Sequence, residues 1–300
     1  MPIVSSGQVS LGAIATEFGG SAPHQLSEYH GKGNAPSSGE IQLAADFYGT
    51  ANTYDIQYLI VAGGGGAPGS RGDGYGTGGG GAGGYREFGS TTLTAGAAGM
   101  TVTIGAGGNG NGIPWYGGNG ANSGSNSSFN GNSSTGGGGG GGPFRNGYSG
   151  GSGGAGGWNK ARFNNYARSP GGGNAGGYTP SEGNGASTGY ATSNFHPNYK
   201  TQSGRGGEGG ELATSDRTWL NGTVYASRGT VGGSGYSGTA NTGNGAGTPS
   251  EYTYADVNRI GGSGVVIIRY SGAQRGSGGT VTSSGGYTYH QFNSSGTYNP

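Results

Sequence analysis

Between YLIVAGGGG (residues 58–66) and GGSGVVIIRY (residues 261–270) lies a glycine-rich segment that contains the unbroken run GGGGGGG (residues 136–142) and sets the architecture of the chain. Glycine loses more backbone entropy on ordering than any other residue. A chain with 81 glycines among 300 residues must therefore recover that cost from an unusual kind of packing. The apolar residues at the two ends, YLIVA and VVIIRY, predict short strands that bracket the segment.

Three structures compete for such a segment: collagen, disorder and packed polyglycine-II helices. Collagen needs glycine at every third position and abundant proline, which the run at residues 136–142 and the 11 prolines of the chain exclude. The low charge and low hydrophobicity favour disorder, but disordered segments are poor in aromatic residues. This segment contains Tyr, Phe and Trp as far as Trp219, which favours the polyglycine-II alternative.

A polyglycine-II helix, here called a rod, has three residues per turn, rises about 3.1 Å per residue and leaves every N–H and C=O group pointing outward. Without side chains, neighbouring rods approach closely enough to exchange backbone hydrogen bonds. At this rise, a rod of seven residues spans roughly 22 Å. The predicted rods are residues 63–66, 78–84, 136–142, 150–157, 171–177 and 204–210.

Composition limits the classes of function. Only 29% of residues are hydrophobic, so a side-chain core must be small, and the net charge of +1 argues against nucleic-acid binding. Cysteine is absent, which excludes disulfides and thiolate metal sites. The first residues lack the features of a signal peptide and no apolar run approaches 18 residues. We therefore expect a protein made in the cytoplasm without a leader and without membrane insertion.

Residues 1–52 contain a short internal repeat. SGQVSL (residues 6–11) recurs as SGEIQL (residues 38–43), and each copy leads to an aromatic residue followed by glycine. Each copy predicts an extended segment and a short helix, the first with Ser10 as N-cap and Gly19 after its last turn. Because each copy is too short to make a core, we expect an exposed apolar row that docks on another surface. The residues of that assembly surface are Val9, Leu11, Ile14, Phe18, Ile41, Leu43 and Phe47.

Several motifs resemble known proteins. SGQVSLGAIATEFGG (residues 6–20), LSEY (26–29) and DFYG (46–49) resemble the leading segment of many virion proteins of tailed bacteriophages. YLIVAGGGG and GVVIIRY (residues 264–270) are similar to the entry and exit of the glycine-rich domain of phage tail fibres and adhesins. The resemblance implies a virion structural protein that contacts a bacterial surface.

The predicted fold is mainly β: a small β-sandwich with a large glycine-rich insert of polyglycine-II-like helices and an N-terminal attachment segment. Residues 85–88 and 93–104 predict strands that join the two bracketing strands. The tail predicts a hairpin that turns at residues 284–286, with Thr288, His290 and Phe292 on one face. The predicted boundaries are 1–52 for the attachment segment, 53–270 for the glycine-rich domain and 271–300 for the C-terminal hairpin.

No motif predicts catalysis, a cofactor or a metal. Matches to Gly-x-Gly-x-x-Gly are expected by chance at this glycine content, and no amphipathic helix follows them. The four histidines are scattered without carboxylates at ligand spacing. A glycosidase pair drawn from Glu182, Glu208, Glu211 and Asp216 is the strongest catalytic alternative, but acids spread along a chain always offer such pairs. We therefore expect a protein that is not an enzyme.

Aromatic residues between the glycine runs are the candidate binding residues. Flat amphipathic rings mixed with Asn and Ser supply both stacking and hydrogen bonds to a sugar or a protein surface. The alternative is that the rings cover the faces of the rods. The candidate receptor-binding residues are Trp115, Tyr116, Phe144, Tyr148, Trp158, Tyr166, Phe195, Tyr199 and Trp219.

Two functions follow from the sequence. The first is a tail-fibre or adhesin component of a virion, which binds a bacterial surface glycan or outer-membrane protein and other virion proteins. The second is a self-assembling subunit of a helical extracellular filament, a homo-oligomer or fibre joined through residues 1–52. An ice-binding polyglycine-II protein is a weaker third, because no regular threonine array is visible.

Overall fold

The computed structural model describes residues 2–69, 75–112, 120–160, 165–186, 218–229, 236–248 and 259–300. Its helices all lie in the N-terminal segment: α1 (Leu11–Phe18), a 3-10 helix (Leu26–Tyr29) and α2 (Leu43–Phe47). Helix α1 begins as predicted, since the Ala13 N–H donates to the Ser10 hydroxyl at 3.1 Å. It ends at Gly19, whose φ of 76° is open to glycine without strain.

Strands make up most of the remaining regular structure. The described residues contain twelve of them, in chain order β1 (Thr53–Val61), β2 (Tyr75–Gly76), β3 (Tyr85–Thr94), β4 (Met100–Thr103), β5 (Ser127–Phe129), β6 (Asn132–Ser134), β7 (Trp158–Lys160), β8 (Asn165–Ala167), β9 (Val265–Ser271), β10 (Thr280–Ser284), β11 (Tyr287–Phe292) and β12 (Gly296–Tyr298). They form three antiparallel sheets, ordered β10-β11-β9-β1-β3, β12-β4-β5-β6 and β2-β7-β8. The mainly-β fold class is confirmed.

The first two sheets pack face to face as a small sandwich. Side chains alternate along a strand, so Tyr54, Ile56, Tyr58 and Ile60 of β1 face one side of their sheet. They meet Val102 of β4, among other residues of the second sheet, in one buried cluster. The bracketing strands β1 and β9 are direct neighbours, with Leu59 opposite Ile267, so the chain leaves and re-enters the same sheet. The glycine-rich segment is therefore an insertion between two paired strands.

The C-terminal hairpin is part of this sandwich. Strands β10 and β11 pair through a turn at Gly285 and Gly286, both with positive φ, and β11 also pairs with β9. Thr288, His290 and Phe292 are buried, which confirms the predicted face. His290 lies between two fixed partners: its Nδ1–H donates to the Gly278 carbonyl at 2.8 Å, and its Nε2 accepts from the Tyr270 hydroxyl at 2.8 Å. A carbonyl only accepts, so it selects this neutral tautomer.

The glycine-rich segment is an array of rods joined by backbone hydrogen bonds. The first rod, residues 62–69, donates to three different neighbours and returns to the same neighbour after every third residue. Its bonds of 2.8–3.1 Å run from Ala62 N–H to Gly84 C=O, Gly65 to Gly81, Gly63 to Ser125, Gly66 to Asn122, Gly64 to Gly262, and Ala67 to Arg259. Three residues per turn is the repeat of a polyglycine-II helix, so the predicted packing is confirmed.

The run at residues 136–142 shows how completely such a rod is satisfied. Its N–H groups from 136 to 141 donate, in order, to the Asn126 side chain, Gly63, Ser152, the Ser123 hydroxyl, Gly66 and Ala155. Its carbonyls from 136 to 142 accept, in order, from residues 151, 124, 81, 148, 121, 78 and 145. Buried backbone groups cost free energy when unpaired, and here six N–H groups and all seven carbonyls have partners.

Glycine is required in the array because the rods touch through their backbones. A Cβ atom added at Gly65, Gly80 or Gly138 would lie closer than 3.0 Å to a backbone carbonyl of a neighbouring rod. Alanine also stands inside the array, as at the fully buried Ala82 and Ala155. The array is thus a core made of backbone instead of side chains.

The predicted rods differ from the structure in extent. The rod predicted at residues 171–177 ends near Gly173, because Asn174 takes a positive φ of 51° and starts a turn. The rod predicted at residues 204–210 lies outside the described residues. Further segments that mix glycine with Asn, Ser and Ala also belong to the array, and these were not predicted: residues 105–111, 120–126, 225–229, 243–248 and 259–264.

The N-terminal segment has its own core, which corrects the expectation of an exposed apolar row. Ile14 and Phe47 are fully buried, together with Ile3, Tyr29 and Ala35. Val9, Leu11, Phe18, Ile41 and Leu43 pack around them and are partly buried. Each copy of the repeat alone is too short for a core, but the two copies bury their apolar residues against each other.

Candidate binding surface at the distal end of the glycine array

Several rods end on the side of the array that faces away from the sandwich, here called the distal end. The first rod leaves β1 at Val61, so at about 3.1 Å per residue Gly69 lies more than 20 Å from the sheet. Neighbouring rods run in the opposite direction, so other parts of the chain also reach this end. Gly69 donates to the Asn111 carbonyl, and Gly78 donates to the Gly141 carbonyl. The chain segments that leave the rods at residues 69, 112 and 142 therefore all leave at one end.

The third sheet also lies at this end. Strand β2 leads into the rod at residues 77–84, and β7 follows the rod at residues 152–157. The register pairs Gly76 with Trp158 and Asn159 with Tyr166. Two candidate binding residues, Trp158 and Tyr166, are thus on adjacent strands of one small distal sheet.

A polar groove opens beside Tyr148 at the distal end. Its volume is about 370 Å³, and it is lined by Asn111, Gly120, Ala121, Asn122, Ser123 and Tyr148. The Tyr148 side chain is 45% exposed. Its backbone is fixed on both sides, since its N–H donates to Gly139 at 3.0 Å and its carbonyl accepts from Gly154 at 2.9 Å. The ring is therefore exposed but mounted on a hydrogen-bonded backbone.

Gly120 sets the position of this ring. A Cβ atom at Gly120 would lie 2.9 Å from Cε2 of Tyr148 and 2.7 Å from the Gly140 carbonyl oxygen. Because glycine stands there, the ring and the neighbouring rod both approach the backbone of residue 120. The Asn111 side-chain amide donates to the Gly120 carbonyl and links the two segments that border the groove.

The structure separates the predicted binding residues into three groups. Phe144 and Tyr148 lie at the distal end, as do the strands that carry Trp158 and Tyr166. Trp115, Tyr116, Phe195 and Tyr199 lie outside the described residues. Trp219 is only 3% exposed and packs edge to face with Tyr289, their ring centroids 6.3 Å apart, on the outer face of the first sheet. Trp219 therefore does not offer its ring to a ligand, which corrects that prediction.

Of the residues that line the groove, Tyr148 is predicted from the sequence, whereas Asn111, Asn122 and Ser123 are not. Asn111, Asn122 and Ser123 lie on rods that mix glycine with polar residues, whereas the prediction considered only near-continuous glycine. The signal that identifies such rods is their period of three: in the rod at residues 105–111, Ala106 and Asn109 are exposed while Gly105 and Gly108 are buried. On such a rod, the side chains lie on the face that has no neighbouring rod.

Glu182, one of the four acids considered for a glycosidase pair, is held by hydrogen bonds inside the protein. Its side chain is fully buried, and its carboxylate accepts from the Thr135 N–H at 2.7 Å, the Ser134 hydroxyl at 3.1 Å and the Gly176 N–H at 3.2 Å. The other three acids of that alternative lie outside the described residues. Within the described ranges, no group of three or more His, Asp or Glu side chains is placed to hold a metal ion.

A family model described as a glycine-rich domain matches residues 45–271, well over half of the chain. The chain belongs to this glycine-rich domain family. The match includes both bracketing strands and every rod described above. Searches of curated proteins and of solved structures find no match. No helix in the described part of the chain is long and apolar enough to span a lipid bilayer.

Proposed function

We propose that this chain is a non-enzymatic structural protein of a phage virion, a tail-fibre or adhesin component whose glycine array presents distal loops to a bacterial surface. One observation carries the proposal: the rod at residues 136–142 is hydrogen-bonded through six N–H groups and all seven carbonyls, and residues 69, 112 and 142, where the chain leaves the rods, lie at one end of the array. A rigid scaffold with variable loops at one end is a common arrangement for recognition. The resemblance of the flanking motifs to phage virion proteins supports the same function.

The loops differ in composition from the scaffold. The described distal residues include Phe144, Tyr148 and Asn111, whereas the buried first rod has no side chain larger than that of Pro68. Aromatic and amide side chains of this kind give adaptable recognition at low entropic cost. The sandwich end instead joins to residues 2–50, which have their own core and suit attachment to another virion protein or to a second copy.

A cell-binding experiment tests the proposal. Fluorescently labelled protein is incubated with a panel of bacterial strains, and bound fluorescence is measured by flow cytometry. We expect saturable binding to at least one strain, and a loss of about tenfold or more in apparent affinity for the distal double variant Phe144→Ala/Tyr148→Ala. The matched control changes two residues of the sandwich end, Leu220→Ala/Tyr287→Ala, and should bind as the wild type does.

Two outcomes contradict the proposal. The first is that no strain of the panel binds the protein. The second is that the distal variant binds as well as the wild type while the control variant loses binding, because the sandwich end would then be the adhesive one.

A further inference from the structure

We infer that the groove beside Tyr148 is a binding subsite for one uncharged sugar ring. The inference rests on the proposed function, because it names the ligand class recognised at the same end of the molecule. The groove volume of about 370 Å³ lies at the low end of the range of small-molecule sites, which favours a mono- or disaccharide unit over a protein loop.

The Tyr148 ring supplies a stacking platform. Sugar rings present flat faces of C–H groups that pack on aromatic rings, and a fixed ring loses little entropy when it binds. Tyr148 meets this requirement, since its backbone is hydrogen-bonded to Gly139 and Gly154 while its side chain is 45% exposed. The platform is therefore ordered before a ligand arrives.

The groove wall supplies groups that both donate and accept hydrogen bonds, as sugar hydroxyls do. Asn122 and Ser123 are exposed beside the ring. The Ser123 oxygen accepts from the Gly139 N–H at 3.2 Å, which orients the hydroxyl and leaves its own proton to donate. Asn111 uses one N–H of its amide on Gly120, a bond that leaves its oxygen and second N–H for other partners.

Charge decides which sugars fit. None of the six lining residues carries a charge, so a uronic acid, a sialic acid or a phosphate would enter without a counter-ion. Recognition of carboxylates and phosphates relies on Arg, Lys or clustered N–H donors. A stable protein partner would in turn need roughly 1,000 Å² or more of buried interface, far beyond this groove alone. The groove therefore favours neutral hexoses or N-acetylhexosamines.

Saturation-transfer NMR tests the inference with defined probes. The full-length protein is mixed with maltotriose, isomaltotriose, cellotriose, mannotriose and N-acetylchitotriose, and with trigalacturonic acid as the charged comparison. We expect at least one neutral trisaccharide to receive saturation. Its affinity should fall at least about tenfold in Tyr148→Ala and in Asn122→Ala, and stay within about threefold in Tyr148→Phe, which keeps the ring. Tyr287→Ala is the matched tyrosine control, and unchanged thermal unfolding confirms that each variant is folded.

The inference is overturned if no neutral trisaccharide binds, if binding is unchanged in Tyr148→Ala, or if trigalacturonic acid binds more tightly than every neutral probe. The cell-binding experiment separates this failure from failure of the proposed function. If no probe, neutral or charged, binds while cell binding still depends on the distal residues, the receptor is a protein surface and only the sugar subsite is wrong. If cell binding also fails, both proposals are wrong.

Discussion

The sandwich and the glycine array both have buried interiors, but side chains fill the first and backbone fills the second. In the sandwich, side chains such as Ile56, Ile268 and Phe129 are at most 1% exposed and fill the space between two sheets. In the array, the rod at residues 62–69 is equally buried, yet it consists of glycine with two alanines and one proline. One core excludes water with apolar side chains, and the other with paired backbone.

The two cores should respond differently to a change of one carbon atom. Side chains in a sandwich shift and repack, so removing a methylene leaves a small void. A carbon atom added to a rod meets a carbonyl that is itself hydrogen-bonded to another rod, so no flexible group is available to move. The array is therefore expected to be the less tolerant of the two cores, although it has fewer apolar contacts.

The largest predicted effect comes from adding a methyl group to the array. In Gly138→Ala the new Cβ would clash with the Tyr148 carbonyl, while Gly138 itself is bound to Ser152 and Gly81. We expect a loss of at least about 3 kcal/mol in the free energy of unfolding, the upper part of the range for overpacked cores. Removing one carbon from the sandwich in Ile268→Val should cost only about 0.5–1.5 kcal/mol. Urea unfolding followed by circular dichroism measures both.

Gly172→Ala is the matched control for the added methyl group. Gly172 is exposed, and the nearest atom to an added Cβ would be the Ser149 hydroxyl oxygen at 3.6 Å. This variant should change the free energy of unfolding by less than about 1 kcal/mol. If Gly138→Ala costs no more than Ile268→Val, close backbone contact does not limit the array.

The sequence predicted those parts of the fold that depend on local signals. Ser10 and Gly19 mark the two ends of α1, and Gly285-Gly286 marks the hairpin turn, because capping and positive φ restrict the residue type directly. The run at residues 136–142 predicted a rod because no other packed structure accommodates so many consecutive glycines. In each case a few neighbouring residues were sufficient.

The parts that were missed depend on contacts distant in the chain. Nothing near Trp219 indicates that Tyr289 covers its ring, and nothing near Glu182 indicates that Ser134 and Thr135 bind its carboxylate. The groove at Tyr148 likewise joins residues 111, 120–123 and 148, which meet only after the rods have packed. Candidate aromatic residues could therefore be named from the sequence, but their exposure could not.

A smaller effect is expected from pH, and its source in the sandwich is His290. Burial lowers the pKa of His290 below its ordinary value of 6.5, although the bond to the Gly278 carbonyl partly opposes this. The unfolded chain then binds a proton at a higher pH than the folded one, so stability is fully present above about pH 6.5 and falls as the pH drops below it. Thermal unfolding between pH 7.5 and 5 should show this fall.

The variant His290→Gln tests the origin of that pH dependence. Glutamine can donate and accept hydrogen bonds but does not titrate, so the slope of stability against pH should become flatter. If His290→Gln keeps the full slope, the buried imidazole is not its source.

The smallest effect on the stability of the two cores should come from deleting residues 1–51. The N-terminal core is built from its own residues, including Ile3, Ile14 and Phe47. At the junction, Asn52 N–H donates to a Glu17 carboxylate oxygen at 2.8 Å, and the Asn52 carbonyl accepts from Ala95 at 2.8 Å. Only the first of these bonds is lost, so the melting temperature of the remaining chain should change by no more than a few degrees.

The same deletion should have its main effect on assembly. A segment with its own core can contact a neighbouring copy independently of the body, and a contact between that segment and another copy's body is heterologous, so it propagates or closes into a ring. We therefore expect the full-length protein to be a homo-oligomer or fibre and the truncated protein to be a folded monomer, as measured by light scattering and negative-stain microscopy. If the truncated protein assembles as the full-length protein does, residues 1–52 are not the connector between copies, and attachment to a different virion protein becomes their better explanation.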